Sequence, residues 1–203
     1  MLDDPRIRLP SLMLLVLALN ACSPEVEEVG AATQIGENGS STAASVLSAV
    51  LEDITPVEEK FLSLAQDFSD QVYAWRPAEG VRSTAEVLMH VAATNYFFPM
   101  SAGVDPPAAT GIEASDVQRT LPAFETKFSS KDSVLAELRA SFQHLRAAIE
   151  STRGRSLEED VQVFGEPVTL GGLWIGQAGH LHEHLGQLIA YARVNGTTPS
   201  WSQ

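Results

Sequence analysis

Two histidines near the carboxyl end of the chain have the spacing of a metal-binding pair. His180 and His184 are four residues apart, so in an α-helix their imidazoles lie on one face, about 6 Å apart along the axis. Two imidazole nitrogens at this separation can coordinate one divalent ion. The same helical face predicts that the pair points into the protein, because it continues through Leu173, Gln177, Gln187 and Tyr191.

A third histidine, His90, is predicted on the core-facing side of another helix. Buried imidazoles without partners cost about 1–3 kcal/mol each, so three that face one interior favour a bound ligand. His182 is about 200° around the helix from His180 and should point away. His144 lies off the apolar stripe of its own helix and is predicted at the surface. Spacing alone leaves open whether the three inward histidines bind a metal.

Hydrophobic periodicity predicts four long amphipathic helices that would carry these residues. Pro56 interrupts the first, but the apolar stripe keeps its phase across the proline, which favours one kinked helix over two. A capping box at Ser83-Thr84-Ala85-Glu86 begins the second. A short helix near residues 115–128 and a short extended pair around Gly165 complete the pattern. This pattern of elements is typical of an all-α bundle. The long helices are predicted at about residues 46–68, 83–98, 132–152 and 170–194.

The first residues have the pattern of an export signal. Arg6 and Arg8 precede an apolar run over residues 12–19, which is shorter than the about 20 residues that span a bilayer. The sequence Leu19-Asn20-Ala21-Cys22 resembles a bacterial lipobox, which implies diacylglycerol on the Cys22 sulfur and cleavage before it. Ser23 after the cysteine favours the outer membrane by the same resemblance.

The chain therefore divides into three predicted parts. Residues 1–21 are the lipoprotein signal peptide, residues 22–44 are the lipidated cysteine with a flexible linker rich in Gly, Ser, Thr and Glu, and residues 45–203 are the helical domain. We expect the protein to lie in the cell envelope, anchored by lipid on the periplasmic face.

Charge excludes one class of partner. The net charge of −13, with no stretch rich in Lys and Arg, repels phosphate backbones and argues against nucleic-acid binding. Hydrophobic residues make up 44 % of the chain, which is enough for a core. Cys22 is the only cysteine, so an intrachain disulfide is excluded.

Two separate segments resemble the DinB-like superfamily. Residues 180–187, read as H-x-x-x-H-x-G-Q, and the continuation over residues 191–199, with Tyr-x-Arg-x-x-Gly and a later Pro, resemble the last helix of that family. Residues 73–83, running into Glu86 and His90, resemble its loop and second helix. The resemblance covers about residues 46–200 and implies a four-helix up-and-down bundle of the DinB-like type.

The resemblance also implies a metal site. One divalent ion, zinc or nickel, would be held by His90, His180 and His184. Gln187 falls on the family motif and would either hydrogen-bond a ligand or pack between helices. Glu86, one turn before His90, could orient that imidazole or act as a base, although the capping box already explains it. Glu183, about 60° from His180, could support a ligand or be simply exposed.

Several functions remain open. Members of the family include thiol-dependent transferases and isomerases, and many are described only as metal-dependent hydrolases. Thiol cofactors are scarce outside the cytoplasm, so an envelope location favours hydrolysis of a small molecule by metal-bound water. The alternatives are a non-catalytic metal- or ligand-binding lipoprotein, a thiol-dependent transferase, and an interaction module. The substrate and the oligomeric state, a homodimer included, are not fixed by the sequence.

Overall fold

The computed structural model describes residues 34–202, and the predicted signal peptide and Cys22 lie outside them. The described part is mostly helical, which confirms the all-α class. None of its helices combines the length and apolarity that crossing a bilayer requires. Within residues 34–202, one antiparallel hairpin is formed by β1 (Asp160–Val163) and β2 (Glu166–Thr169). The helices are α1 (Gln34–Asp67), α2 (Asp70–Ala74), α3 (Thr84–Ser101), α4 (Val117–Glu125), α5 (Lys131–Ser151) and α6 (Leu170–Val194).

The four long helices enclose one apolar core. Helix α1 packs against α5 and α6, and α3 packs against the same two helices. Their apolar stripes meet between them, and the rings of Phe61 and Phe142 lie 5.8 Å apart across α1 and α5. The largest side chains that are fully buried there include Phe61, Phe68, Leu88, Phe142 and Trp174.

Helix α1 is one continuous helix with Pro56 inside it, as the phase of its stripe predicted. It also begins at Gln34, within the segment predicted as a flexible linker, so residues 34–44 are helical instead. Once a helix is nucleated, each added residue gains a hydrogen bond. Gly36 and Gly39 lie inside this upstream part of α1, although a glycine in a helix costs about 1 kcal/mol relative to alanine.

The two helices that carry the histidines begin at side-chain caps. The predicted capping box opens α3: Ser83 Oγ accepts from the Glu86 amide at 3.2 Å, and the Ser83 amide donates to Glu86 Oε2 at 2.8 Å. Helix α6 opens at Thr169, whose hydroxyl oxygen accepts from the Gly172 amide at 3.0 Å, and it spans the predicted residues. These local signals fix where the histidine-bearing helices start.

The hairpin lies against the same two helices. Strand β1 contacts α3 and α6, and β2 contacts α6. Val163 pairs with Glu166, so Phe164 and Gly165 form a two-residue turn. Both have positive φ, 52° and 86°, which is the conformation of a type I′ turn.

Candidate metal centre

Three histidines meet between α3 and α6. The ring centroids lie 4.4 Å apart for His180 and His184, 4.7 Å for His90 and His184, and 5.2 Å for His90 and His180. One nitrogen from each ring lies within 4.8 Å of the others, and all three residues are partly buried. The structure thus brings together the three residues that the sequence singled out. That they bind a metal stays a prediction.

His90 is oriented by a carboxylate. Its Nδ1 lies 2.7 Å from Glu125 Oε1, and the carboxylate can only accept, so Nδ1–H donates; in the neutral imidazole this leaves the lone pair on Nε2. Arg82 donates twice to Glu125, at 2.7 Å and 3.1 Å. Burial raises the pKa of Glu125, but the hydrogen bonds from His90 and Arg82 outweigh it and hold the pKa below its usual value. An ionised carboxylate behind a histidine is common in metal sites.

Glu125 was not among the site residues predicted from the sequence. It stands at the end of α4, 35 residues from His90, in a segment whose weak periodicity predicted only a short helix. Its contact depends on how α4 packs against α3, which no local pattern encodes.

Glu125→Gln is expected to weaken metal binding by about 10- to 100-fold, because a neutral amide orients His90 less strongly and makes it a poorer ligand. Competition with a chromophoric chelator measures the affinity. Glu183→Gln, an exposed carboxylate on α6, is the matched control and should bind as the wild type does. Equal affinity in all three proteins would remove the assigned role of Glu125.

His184 is oriented by an amide relay. Its Nδ1 lies 2.8 Å from Gln187 Oε1, so Nδ1–H donates. Gln187 Nε2 donates to the Tyr191 hydroxyl at 3.0 Å, and that hydroxyl donates to the Arg82 carbonyl at 3.2 Å. Of the two roles predicted for Gln187, the structure therefore shows the hydrogen bond to a histidine.

Arg82 joins the two sets of supporting contacts. Its guanidinium holds Glu125 behind His90, and its carbonyl ends the relay behind His184. Arg82 directly precedes Ser83, the N-cap of α3. The capping box that starts the helix thus also fixes the backbone of this shared residue.

His180 has a buried nitrogen without a partner. Its Nε2 has no hydrogen bond in residues 34–202, and burial with the nearby charges of His184, His90 and Arg82 lowers the pKa of His180 to about 4. Burial also lowers the pKa of His184, despite its hydrogen bond to Gln187. Neutral imidazole is the form that coordinates metals. A divalent ion would satisfy the orphaned Nε2, so these residues fit such a group.

Glu86, the predicted candidate base, is engaged elsewhere, and Glu183, predicted to support a ligand or be simply exposed, is exposed. Glu86 Oε1 accepts from Arg76 at 2.8 Å, and Oε2 accepts from the Ser83 amide, so the capping role accounts for both oxygens. Glu183 is exposed on α6. His182 points away from the site as predicted, with Nε2 2.9 Å from an oxygen of Asp53 on α1.

His144 is not the surface histidine that the sequence predicted. Its Nε2 is buried, its ring lies 5.2 Å from the Tyr96 ring, and burial lowers its pKa. Helix α5 packs against both α1 and α3. Its covered face is therefore wider than one apolar stripe and reaches His144, which is partly buried.

A small apolar cavity opens beside the histidines. Its volume is about 260 Å³, and His90 and His180 form part of its wall together with Glu125. The remaining walls are mostly hydrophobic, and they are formed by Ala93, Thr94, Phe97, Phe98, Leu121 and Phe164. The space could hold a small molecule next to the three rings.

The family model and the solved structures that match the chain are all of the DinB type. The family model described as the DinB superfamily matches residues 54–188. A DinB-like protein from Bacillus cereus has a similar structure, with a TM-score of 0.59 and 16 % identity over 75 % of this chain and 94 % of its own. A DinB-like protein from Bacillus subtilis has a TM-score of 0.54 and 22 % identity over 78 % of this chain and 98 % of its own. No curated protein matches the chain. At these identities the structural likeness shows the fold alone.

Proposed function

Because the chain belongs to the DinB superfamily, we propose that His90, His180 and His184 bind one divalent metal ion, zinc or nickel. The observation that carries this proposal is the convergence of the three rings with one unpartnered, buried nitrogen, His180 Nε2. We also assign α1, α3, α5 and α6 to an up-and-down four-helix bundle, which their pairwise packing supports.

The proposed reaction is metal-dependent hydrolysis of a small molecule. A divalent ion acts as a Lewis acid and lowers the pKa of a coordinated water. The chain's own residues would prepare the site for this chemistry: Glu125 and Gln187 fix two of the imidazoles, and a mostly apolar cavity lies beside them. Three protein ligands leave coordination positions free, as catalytic zinc sites do.

A non-catalytic role is the second candidate, and one observation favours it. Both oxygens of Glu125 are engaged by His90 and Arg82, and both oxygens of Glu86 are engaged by Arg76 and Ser83. Neither carboxylate is free to act as a general base. Metal or ligand binding alone, or transfer of a metal-bound thiolate, needs no such base.

Metal restoration distinguishes these functions. Metal-stripped protein, reloaded with zinc or nickel, is assayed against a panel of chromogenic esters and amides. Hydrolysis that returns with metal and is lost in His180→Ala, with an unchanged far-UV spectrum, supports the hydrolase. If the reloaded wild type is no more active than His180→Ala on any compound of the panel, the result supports the non-catalytic role.

We further propose that lipid on Cys22 anchors the protein in the cell envelope, with the outer membrane favoured. Cys22→Ser is expected to move the protein from the membrane fraction to the soluble fraction, because the acyl chains have no other attachment point. Fractionation followed by immunoblotting measures the change. Ser23→Ala keeps the cysteine and should stay with the membranes; unchanged fractionation of Cys22→Ser would end the lipoprotein proposal.

A further inference from the structure

Phe164 occupies an unfavourable position in the hairpin turn. It is the first residue of the type I′ turn and has a φ of 52°. That position favours Asn, Asp or Gly, and a bulky residue with positive φ is rare. Burial does not explain the choice, because Phe164 is 61 % exposed. A strained residue of this kind points to a functional constraint.

The ring of Phe164 stands between two cavities. It stacks on Phe97 of α3, with ring centroids 4.6 Å apart and planes at 28°. The two rings line both the 260 Å³ cavity beside the histidines and a second cavity of about 370 Å³ next to α4. The stacked pair thus forms a shared wall, and it sets how far a ligand can extend from the histidines.

The cavity beside the histidines has one charged lining residue, and that charge is already paired. Glu125 is its one carboxylate among the described lining residues, and hydrogen bonds from Arg82 and His90 engage both of its oxygens. No lysine or arginine lines it in residues 34–202. The walls therefore favour a neutral, apolar group.

We propose that Phe164 is a specificity-determining residue, and that the cavity takes a neutral apolar group that contains an aromatic ring. The polar end of the same ligand would reach the three histidines. This inference rests on the proposed metal centre for the polar end, whereas the preference for an aromatic group rests on Phe97 and Phe164 alone. It accounts for a bulky ring at a turn position that suits asparagine.

The test compares imidazole with 4-phenylimidazole by titration calorimetry, on zinc-loaded and on metal-stripped protein. The wild type is expected to bind the phenyl compound at least about tenfold more tightly, because its ring is removed from water against Phe97 and Phe164. Phe164→Asn suits the turn and should lose most of this preference while its affinity for imidazole stays unchanged. Ile175→Ala, a control on the exposed face of α6 outside both cavities, should keep it.

The outcomes separate this inference from the proposed function. A full phenyl preference in Phe164→Asn overturns the inference, whether or not the unfolding temperature of that variant is lower. If zinc does not load but the metal-stripped wild type prefers the phenyl compound and Phe164→Asn does not, the metal proposal fails and the inference holds.

Discussion

Tag-free protein with His184→Ala is expected to retain less than about a tenth of the metal that the wild type carries, because two imidazoles rarely hold a divalent ion against dilution. The wild type should carry about one equivalent. Elemental analysis after gel filtration measures both. His184 shares the site with His90 and His180, and within residues 34–202 no other histidine, cysteine or acidic group forms such a cluster of three with them.

His182→Ala is the matched control for this prediction. It removes an imidazole from the same helix, two positions away, but one that points to Asp53 rather than to the site. The control should keep the wild-type metal content. Equal metal in His184→Ala and the wild type would contradict the assignment, and equal loss in both variants would point to non-specific binding.

Trp174→Ala is expected to lower the free energy of unfolding by about 3–5 kcal/mol. The side chain is fully buried, and its indole N–H donates to the Thr152 hydroxyl at 3.2 Å, which ties α6 to the end of α5. The loss is a large share of the about 5–15 kcal/mol that stabilises a typical domain. Urea unfolding followed by circular dichroism measures it.

The neighbouring residue supplies the control for Trp174. Ile175 is 58 % exposed, so Ile175→Ala should change the free energy of unfolding by no more than about 0.5 kcal/mol. A similar small effect for Trp174→Ala would mean that α6 is not held as the structure describes. The positions of His180 and His184 would then be uncertain as well, since both depend on α6.

Local patterns predicted the elements that carry the site. The capping box at Ser83 and the stripe of α6 are signals between residues three or four apart, which is the range of helical contacts. The same spacing placed His180 and His184 on one face and turned His182 away. The all-α class follows from such patterns, because four amphipathic helices have to bury their apolar faces against each other.

The supporting contacts could not be predicted in this way. Glu125 reaches His90 only because α4 packs against α3, and Arg82 joins both supports through one side chain and one carbonyl. These contacts depend on the rotation and depth of packed helices rather than on sequence spacing. The errors have related causes: His144 is covered by a second neighbouring helix, and α1 extends upstream through residues of low helix propensity.

X-ray absorption spectroscopy of the zinc-loaded wild type identifies and counts the ligands on the ion, so it tests whether the three histidines bind it. We expect three imidazole nitrogens at about 2.0–2.1 Å, completed by light-atom ligands and without sulfur. A spectrum with fewer than three imidazoles, or one dominated by carboxylate oxygen or sulfur, would contradict a metal centre built from His90, His180 and His184.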